Sequence, residues 1–265
     1  MLIARSVAAI AAILLMLSGC AGSGKDKDET SNWSAEKLYT EARSEMSNSS
    51  WDKAIKLFEK LESRYPYGRY AQQAQLEEAY AYFKQGEAAS TVSACDRFMK
   101  LHPNHPSVDY AYYLKGLANF NEDLGMFGNW TDQDQTERDP NAANESFNAF
   151  KDLVAKFPNS KYTPDAVARM VYLSNFLAAH NVHVAKYYFR RGAYIASADR
   201  AKQSIEQYPN APATEDALIL MIRSYDALGI KDLRDDTLRV LKKNFPKVDY
   251  AAKSLDSVDP WWKLW

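Results

Sequence analysis

"ARSEMSNSSWDKAIKLFEKLESRYP", Ala42 to Pro66, holds two alanines twelve residues apart, and the second stands twelve residues before a proline. A proline disfavours helical geometry in the residue before it, so Tyr65 ends a helix that runs back through Ala54. The same ending recurs. "SRYP", "KLHP", "AKFP", "EQYP" and "KNFP" close at Pro66, Pro103, Pro158, Pro209 and Pro246, each after an aromatic residue or a histidine that can cover the end of its helix's apolar stripe. Counting back by twelve, and by twelve again, gives Thr91 and Ala79 from Pro103, then Ser197 and Ala185 from Pro209. From Pro158 the count gives Ser146, whose partner is Gly116 across an insertion of about eighteen residues. From Pro246 it gives Arg234 and Ile222, which keep the register and lose the small side chains.

Small residues at two such points let antiparallel helices approach closely, while Leu38, Phe58 and Leu61 fill the groove around them. Gly86, Gly192 and Gly229 each fall seven residues after the first member of a pair, where the chain must turn. This is the 34-residue two-helix unit of tetratricopeptide (TPR) repeats. The expected helices are 34–47 and 51–64, 70–85 and 88–101, 107–121 and 141–156, 181–191 and 194–207, and 214–228 and 231–244. An extra helix spans Thr163 to His180, with Thr163 as its N-cap and Pro164 in its first turn. Its residues Val167, Met170, Val171 and Leu173 to Leu177 predict burial over much of its surface. Thr214, followed by Glu215 and Asp216, starts another helix. The predicted fold is an all-α solenoid of five TPR-like helical hairpins, with an extra helix, an insertion in the third unit and no sheet.

Ahead of the repeats, Arg5 gives a short basic start and Val7 to Leu17 an apolar run of signal-peptide length, short for a bilayer span. Leu17-Ser18-Gly19-Cys20 then matches the lipobox of bacterial lipoproteins, in which small residues fit the peptidase cleft and the thiol accepts a diacylglyceryl group. The alternative is an ordinary signal peptide that contains a cysteine. A lipidated, N-acylated Cys20 would bury enough methylene groups for stable anchoring, at about 0.8 kcal/mol each. Ala21, not aspartate, follows it, which points to the outer membrane. Residues 21–33, "AGSGKDKDETSNW", have the composition of a flexible tether. The expected organisation is a signal peptide over 1–19, a lipidated tether over 20–33, an N-terminal repeat pair over 34–105, C-terminal units over 106–248 and an aromatic tail over 249–265.

A formal net charge of −1 gives no bulk attraction to nucleic acid. Cys20 and Cys95 allow at most one disulfide, and Cys95 on a helix reads as a small buried apolar residue. Neither a Walker loop, a dinucleotide fingerprint, a G-x-S-x-G elbow nor a metalloprotease helix is present. His180 and His183 lie three apart without further ligands in view. "DQDQTERD", Asp132 to Asp139, lacks the glycine turn and closing glutamate of an EF-hand. The expectation is a non-enzymatic scaffold that holds peptides or domains, with no metal and no cofactor beyond the acyl groups on Cys20.

Lipobox, repeats and several specific strings together resemble the BamD (ComL) family, lipoprotein subunits of the machine that folds β-barrel proteins into the bacterial outer membrane. The strings are "RYPYGRYAQQAQLEEAYAYFK" (Arg64–Lys84), "DRFMKLHPNHPSVDYAYYLKGL" (Asp96–Leu117), "RDP" (Arg138–Pro140) and "AKYYFRRGAYIASADR" (Ala185–Arg200). Helix pairing alone demands none of them. The resemblance implies an outer-membrane, lipid-anchored scaffold facing the periplasm. Its N-terminal repeats would receive unfolded outer-membrane proteins through their C-terminal targeting segment. Its C-terminal repeats would dock the BamA-type barrel subunit, with other assembly lipoproteins as further partners.

On that resemblance Tyr65, Tyr67, Gly68 and Tyr70 are candidate substrate-peptide residues at the turn between the first two units; the alternative is that they seal a helix end. Arg191 and Arg200 lie in the block resembling the family's BamA-contacting segment, where a guanidinium suits forked pairing with a carboxylate. The alternative for both is a solvated helix face. "DPWWKLW" departs from the family: Trp261, Trp262 and Trp265 around Lys263 suit a membrane interface or partner groove, or a fold back over the open end of the last repeat. Two other functions compete, an outer-membrane TPR lipoprotein coordinating or binding peptidoglycan machinery, and a hydrolase built on the acidic insertion.

Overall fold

The structure, a computed structural model, describes residues 28–124 and 140–252. Among them are ten helices and no strand: α1 (Ala35–Ser47), α2 (Trp51–Arg64), α3 (Arg69–Gln85), α4 (Ala88–Leu101), α5 (Val108–Leu124), α6 (Asn141–Lys156), α7 (Thr163–Arg190), α8 (Tyr194–Gln207), α9 (Thr214–Ala227) and α10 (Lys231–Asn244). Each helix packs on the next, making five hairpins in series. First helices of successive hairpins also touch, α1 with α3, α3 with α5 and α7 with α9. Their closer spacing puts the first helices on the inside of the array's curve. No described helix is long and apolar enough to cross a membrane.

The five proline stops share one geometry. Tyr65, His102, Phe157, Tyr208 and Phe245 have φ between −133° and −129° and ψ between 56° and 66°. Each still donates its N–H to the carbonyl four residues back, at 2.7–3.0 Å. The following proline forbids another helical turn. After His102, Phe157 and Tyr208, two consecutive turns close through His105, Ser160 and Ala211 and restart the chain at Val108, Thr163 and Thr214. Thr163 is the first helical residue and Tyr162 the N-cap, so the expected threonine cap is not formed. The Thr163 and Thr214 hydroxyls instead donate back to the carbonyls of Phe157 (2.8 Å) and Pro209 (3.2 Å), tying each helix start to the previous stop.

The pairs predicted from spacing meet in the core. Ala42, Ala54, Ala79, Thr91, Ala185 and Ser197 are completely buried. Ser146 donates its hydroxyl to the carbonyl of Gly116 at 2.9 Å, across the insertion. In the last unit Ile222 is buried, whereas Arg234 pairs with Asp226 and Asp235. Phe58, Phe98, Phe150 and Phe176 are the largest side chains buried in the core, each worth about 1.5–3 kcal/mol of burial. The described turns inside the first, second, fourth and fifth hairpins use left-handed backbone, as at Gly86 (φ +79°); the first unit places Ser49 there, at φ +58°.

Three further expectations change. Residues 163–190 form one helix of about 42 Å, where separate helices over 163–180 and 181–191 were expected. Neither proline nor glycine interrupts it. Its first half packs Leu173, Phe176 and Leu177 into the third unit's core, and its second half packs Val182 and Ala185 into the fourth's. Val167 and Val171 were expected to be buried, but α7 covers only one face there and Val171 is 57% exposed. Finally, residues 28–33, composed like tether, are bound to α2. Asp28 accepts hydrogen bonds from Lys60 (2.8 Å), Arg64 and Thr30, and those from Lys60 and Thr30 hold its carboxyl far below the usual carboxylate range. Arg64 also donates to the Thr30 carbonyl, and Tyr65 donates to that of Trp33 at 2.9 Å.

Two predictions follow from the packing. A β-carbon on Gly116 would overlap the Phe150 ring, so Gly116→Ala should lower stability by about 1–3 kcal/mol in urea titrations followed by circular dichroism. The second concerns Glu78 of α3, which lies between α2 and α4. Burial pushes its carboxyl up to about 8, reinforced by Glu62 and Glu59 and opposed by Arg97, whose guanidinium is 2.8 Å away. A carboxyl that binds its proton more tightly when folded loses stability as pH rises from its unfolded range, near 4.5, through about 8. Glu78→Gln should flatten that fall, giving urea midpoints closer together at pH 5 and pH 9 than in the parent chain.

Candidate functional site

A groove of about 520 Å³ opens on the first-helix side of the array. Leu76, Glu77 and Tyr80 of α3 form one wall, Asp109 and Tyr110 of α5 the other, and the α6–α7 turn contributes Lys161 and Tyr162. The double turns after the proline stops put these residues there, because they present the first residues of α5 and the α6–α7 turn beside the middle of α3. The Asp109 carboxylate accepts from the Ser160 hydroxyl at 2.7 Å, fastening the α6–α7 turn to the start of α5.

Aromatic rings make the floor. Tyr162 stacks on Tyr113 with centroids 4.7 Å apart and leans on Tyr110 at 5.4 Å. Burial drives the Tyr110 hydroxyl far above the usual tyrosine range, so it stays a neutral hydrogen-bonding group. Glu77 is paired with Arg43 of α1, while the Lys161 ammonium rides 4.9 Å above the Tyr162 ring. The volume falls within the range of ligand sites and suits a few residues of extended chain. Its rings can receive apolar or aromatic side chains, and its tyrosines, Asp109 and Lys161 can meet peptide groups.

Among the described residues no three His, Cys, Asp or Glu side chains cluster as a metal site. Cys95 is completely buried and its thiol is pushed up to about 12 by that burial, which leaves it without nucleophilic character at neutral pH.

The sequence-predicted residues divide. Tyr65 is tied to Trp33 through its hydroxyl, and Tyr70 packs against Tyr39 at 5.5 Å with the Arg69 guanidinium over its ring. Those contacts hold both rings at the helix end. Tyr67 is 91% exposed, and Gly68 opens the turn beside it at φ +102°. Arg191 lies exposed at the end of α7, its guanidinium 5.4 Å from the Tyr187 ring. Arg200, half-buried on α8, donates to Gln203 at 3.1 Å. In the proline register Arg200 stands where the other second helices carry Leu57, Ala94, Ala149 and Thr237, so a charge occupies a largely buried position. Cys20, the acidic insertion and Trp261, Trp262 and Trp265 lie outside the described residues.

Sequence reasoning missed the groove itself. Leu76, Glu77, Tyr80, Asp109 and Tyr110 all fall within two of the strings that helix pairing does not require, and that excess was the available signal. Lys161 and Tyr162 fall outside every such string, and only the fold brings them to α3.

The family YfiO, described as outer membrane lipoprotein, matches residues 31–241. The outer membrane protein assembly factor BamD of Neisseria meningitidis serogroup B is 48% identical over 95% of this chain and 96% of its own. That of Xylella fastidiosa strain Temecula1 is 36% identical over 91% of this chain and 82% of its own. Among solved structures, the TPR domain of P58(IPK) aligns over 82% of this chain and 53% of its own at 12% identity and TM-score 0.42. An all-helical array of hairpins, with sequence identity of this extent along nearly its whole length, places the chain in the BamD family of outer membrane protein assembly factors.

Proposed function

We propose that this chain is a non-enzymatic, lipid-anchored scaffold that receives unfolded outer-membrane proteins on its N-terminal repeats and docks a BamA-type barrel subunit with its C-terminal ones. The observation that carries this reading is the tyrosine-floored groove between α3, α5 and the α6–α7 turn. An unfolded barrel strand alternates apolar and polar side chains, and the groove offers rings for the first and polar edges for the second. Tyr67 and Gly68 extend the receiving surface at the first turn, with Tyr65 and Tyr70 holding that turn in place.

Arg191 and Arg200 would meet carboxylates of the barrel subunit, and the anomalous register position of Arg200 supports the assignment. The anchor would be acyl groups on Cys20, on the periplasmic side of the outer membrane. With Asp28 clamped to α2, only seven residues lie between it and Cys20. At most about 28 Å then lies between the anchored backbone and the first repeat. Precursors would be received close to the bilayer they enter, with room for other assembly lipoproteins on the remaining faces.

Photocrosslinkers at positions 67, 110 and 200 of the full chain, in intact cells, test this. Positions 67 and 110 should capture barrel precursors, and position 200 the barrel subunit; capture of cell-wall enzymes instead would favour the peptidoglycan alternative. Tyr110→Ala with Lys161→Ala should weaken binding of a precursor's C-terminal peptide about tenfold or more, equivalent to about 1.4 kcal/mol. Arg200→Ala should weaken docking by about 2 kcal/mol or more while leaving helicity unchanged.

A further inference from the structure

Of the five second helices, α2 alone carries cations at both of two positions one turn apart near its end. Lys60 and Arg64 stand six and two residues before Pro66, where the others have Arg97 and Leu101, Asp152 and Lys156, Gln203 and Gln207, and Val240 and Asn244. Like charges four residues apart repel on a helix. No acid of α2 relieves them: three and four residues before Lys60 are Leu57 and Lys56, and before Arg64 are Leu61 and Lys60 itself. Their anion comes from outside the helix, as Asp28.

The Asp28 carboxylate is held on both oxygens. Lys60 Nζ donates to Oδ1 at 2.8 Å and the Arg64 guanidinium to Oδ2, while the Thr30 hydroxyl (2.7 Å) and N–H (3.1 Å) add to Oδ1. A guanidinium and an ammonium placed this way recognise a peptide's terminal carboxylate as well as an aspartate's. The contact is not sealed. The side chains of Lys60 and Asp28 are 41% and 37% exposed, so water and other anions compete for it. It can also open without disturbing the fold. Trp33 packs on the core of the first hairpin and accepts from Tyr65, whereas the residues before it are joined to α2 through Asp28 and Thr30. Arg64 lies three residues before the exposed Tyr67, at most about 11 Å along the backbone.

We propose that Lys60 and Arg64 form a carboxylate site for the C-terminus of an incoming peptide, and that Asp28 fills it as an internal competitor which the peptide displaces. The proposal rests on the reading of the first turn as part of the receiving surface. With the terminal carboxylate between Lys60 and Arg64, the peptide's last side chains come within reach of Tyr67. A latch closed nine-tenths of the time lowers apparent affinity about tenfold. Isolated anions are then turned away, and a chain end that also engages Tyr67 is selected.

Fluorescence anisotropy on the full mature chain in detergent tests the latch. The probe is a labelled peptide copying the C-terminal strand of an outer-membrane barrel protein, made as the free acid and as the terminal amide. Asp28→Ala should tighten binding of the free acid about threefold to tenfold and leave the amide unchanged. Lys60→Gln with Arg64→Gln should erase the difference between acid and amide. In the parent chain the free acid, and not the amide, should speed hydrogen–deuterium exchange in residues 28–33. Asp28→Ala keeps both cations and every residue of α2, so it stays decisive should the double variant fold poorly. An acid-to-amide preference that Asp28→Ala leaves unchanged or lowers overturns the latch while the receiving surface stands. If neither peptide binds the parent chain or Asp28→Ala, the receiving surface falls and the latch with it.

Discussion

Two helices can lie as close as α5 and α6 do at Gly116 and Ser146 only where neither presents a large side chain. Every hairpin but the last meets that constraint with glycine, alanine, serine or threonine at both points. Volume is the common factor, not hydrogen bonding. Ser146 bonds to the Gly116 carbonyl, but Ser197, at the equivalent step, is buried with its hydroxyl unpartnered. Close contact at one level of a hairpin forces bulk elsewhere, and the buried phenylalanines supply it. The last hairpin, with Ile222 and Arg234 in those places, exchanges close approach for ion pairs at the surface.

The proline stops turn this packing into a binding surface. Each stop fixes where one hairpin ends and how the next begins, and the double turns at His102, Phe157 and Tyr208 repeat the same step. The turn at Tyr65 differs: Gly68 holds it open and Tyr67 projects from it. Repetition also places the start of α5 and the α6–α7 turn next to α3, and the groove is the space left between them. A groove assembled from three separate repeats needs no flexible loop, and its tyrosines are stacked before any ligand arrives, which lowers the ordering cost of binding.

Both ends of a repeat array expose a face with no neighbour, and this chain treats its ends differently. At the start, Asp28 to Trp33 lie back against α2 through Lys60, Arg64 and Tyr65. Arg64 and Tyr65 belong to the same "SRYP" ending that stops the helix, so one short string ends α2, receives the tether and begins the open turn. At the other end, α10 keeps Leu233 and Val240 exposed where earlier helices are polar or small. Inside, Glu78 is an acid buried beside Glu62 and Arg97, and it couples the packing of α2, α3 and α4 to proton binding.

Local rules were sufficient for the repeat. The twelve-residue spacing of small side chains, the aromatic-proline endings and the turn glycines are properties of neighbouring residues, so the all-α array and nearly every helix boundary were legible before any coordinates. Where an outcome depended on residues far apart in the chain, sequence was not enough. Residues 163–190 became one helix because two separate cores draw on its two halves, while nothing local stops it. Residues 28–33 look like linker by composition, yet an ion pair thirty-two residues away holds them. Of four candidate residues at the first turn, tertiary contacts occupy two tyrosines and leave Tyr67 exposed. The groove was the least legible feature, since Lys161 gains meaning only beside Tyr80. Periodicity decides how the chain coils and pairs with its neighbour; which surfaces remain uncovered is decided by all the other packing at once.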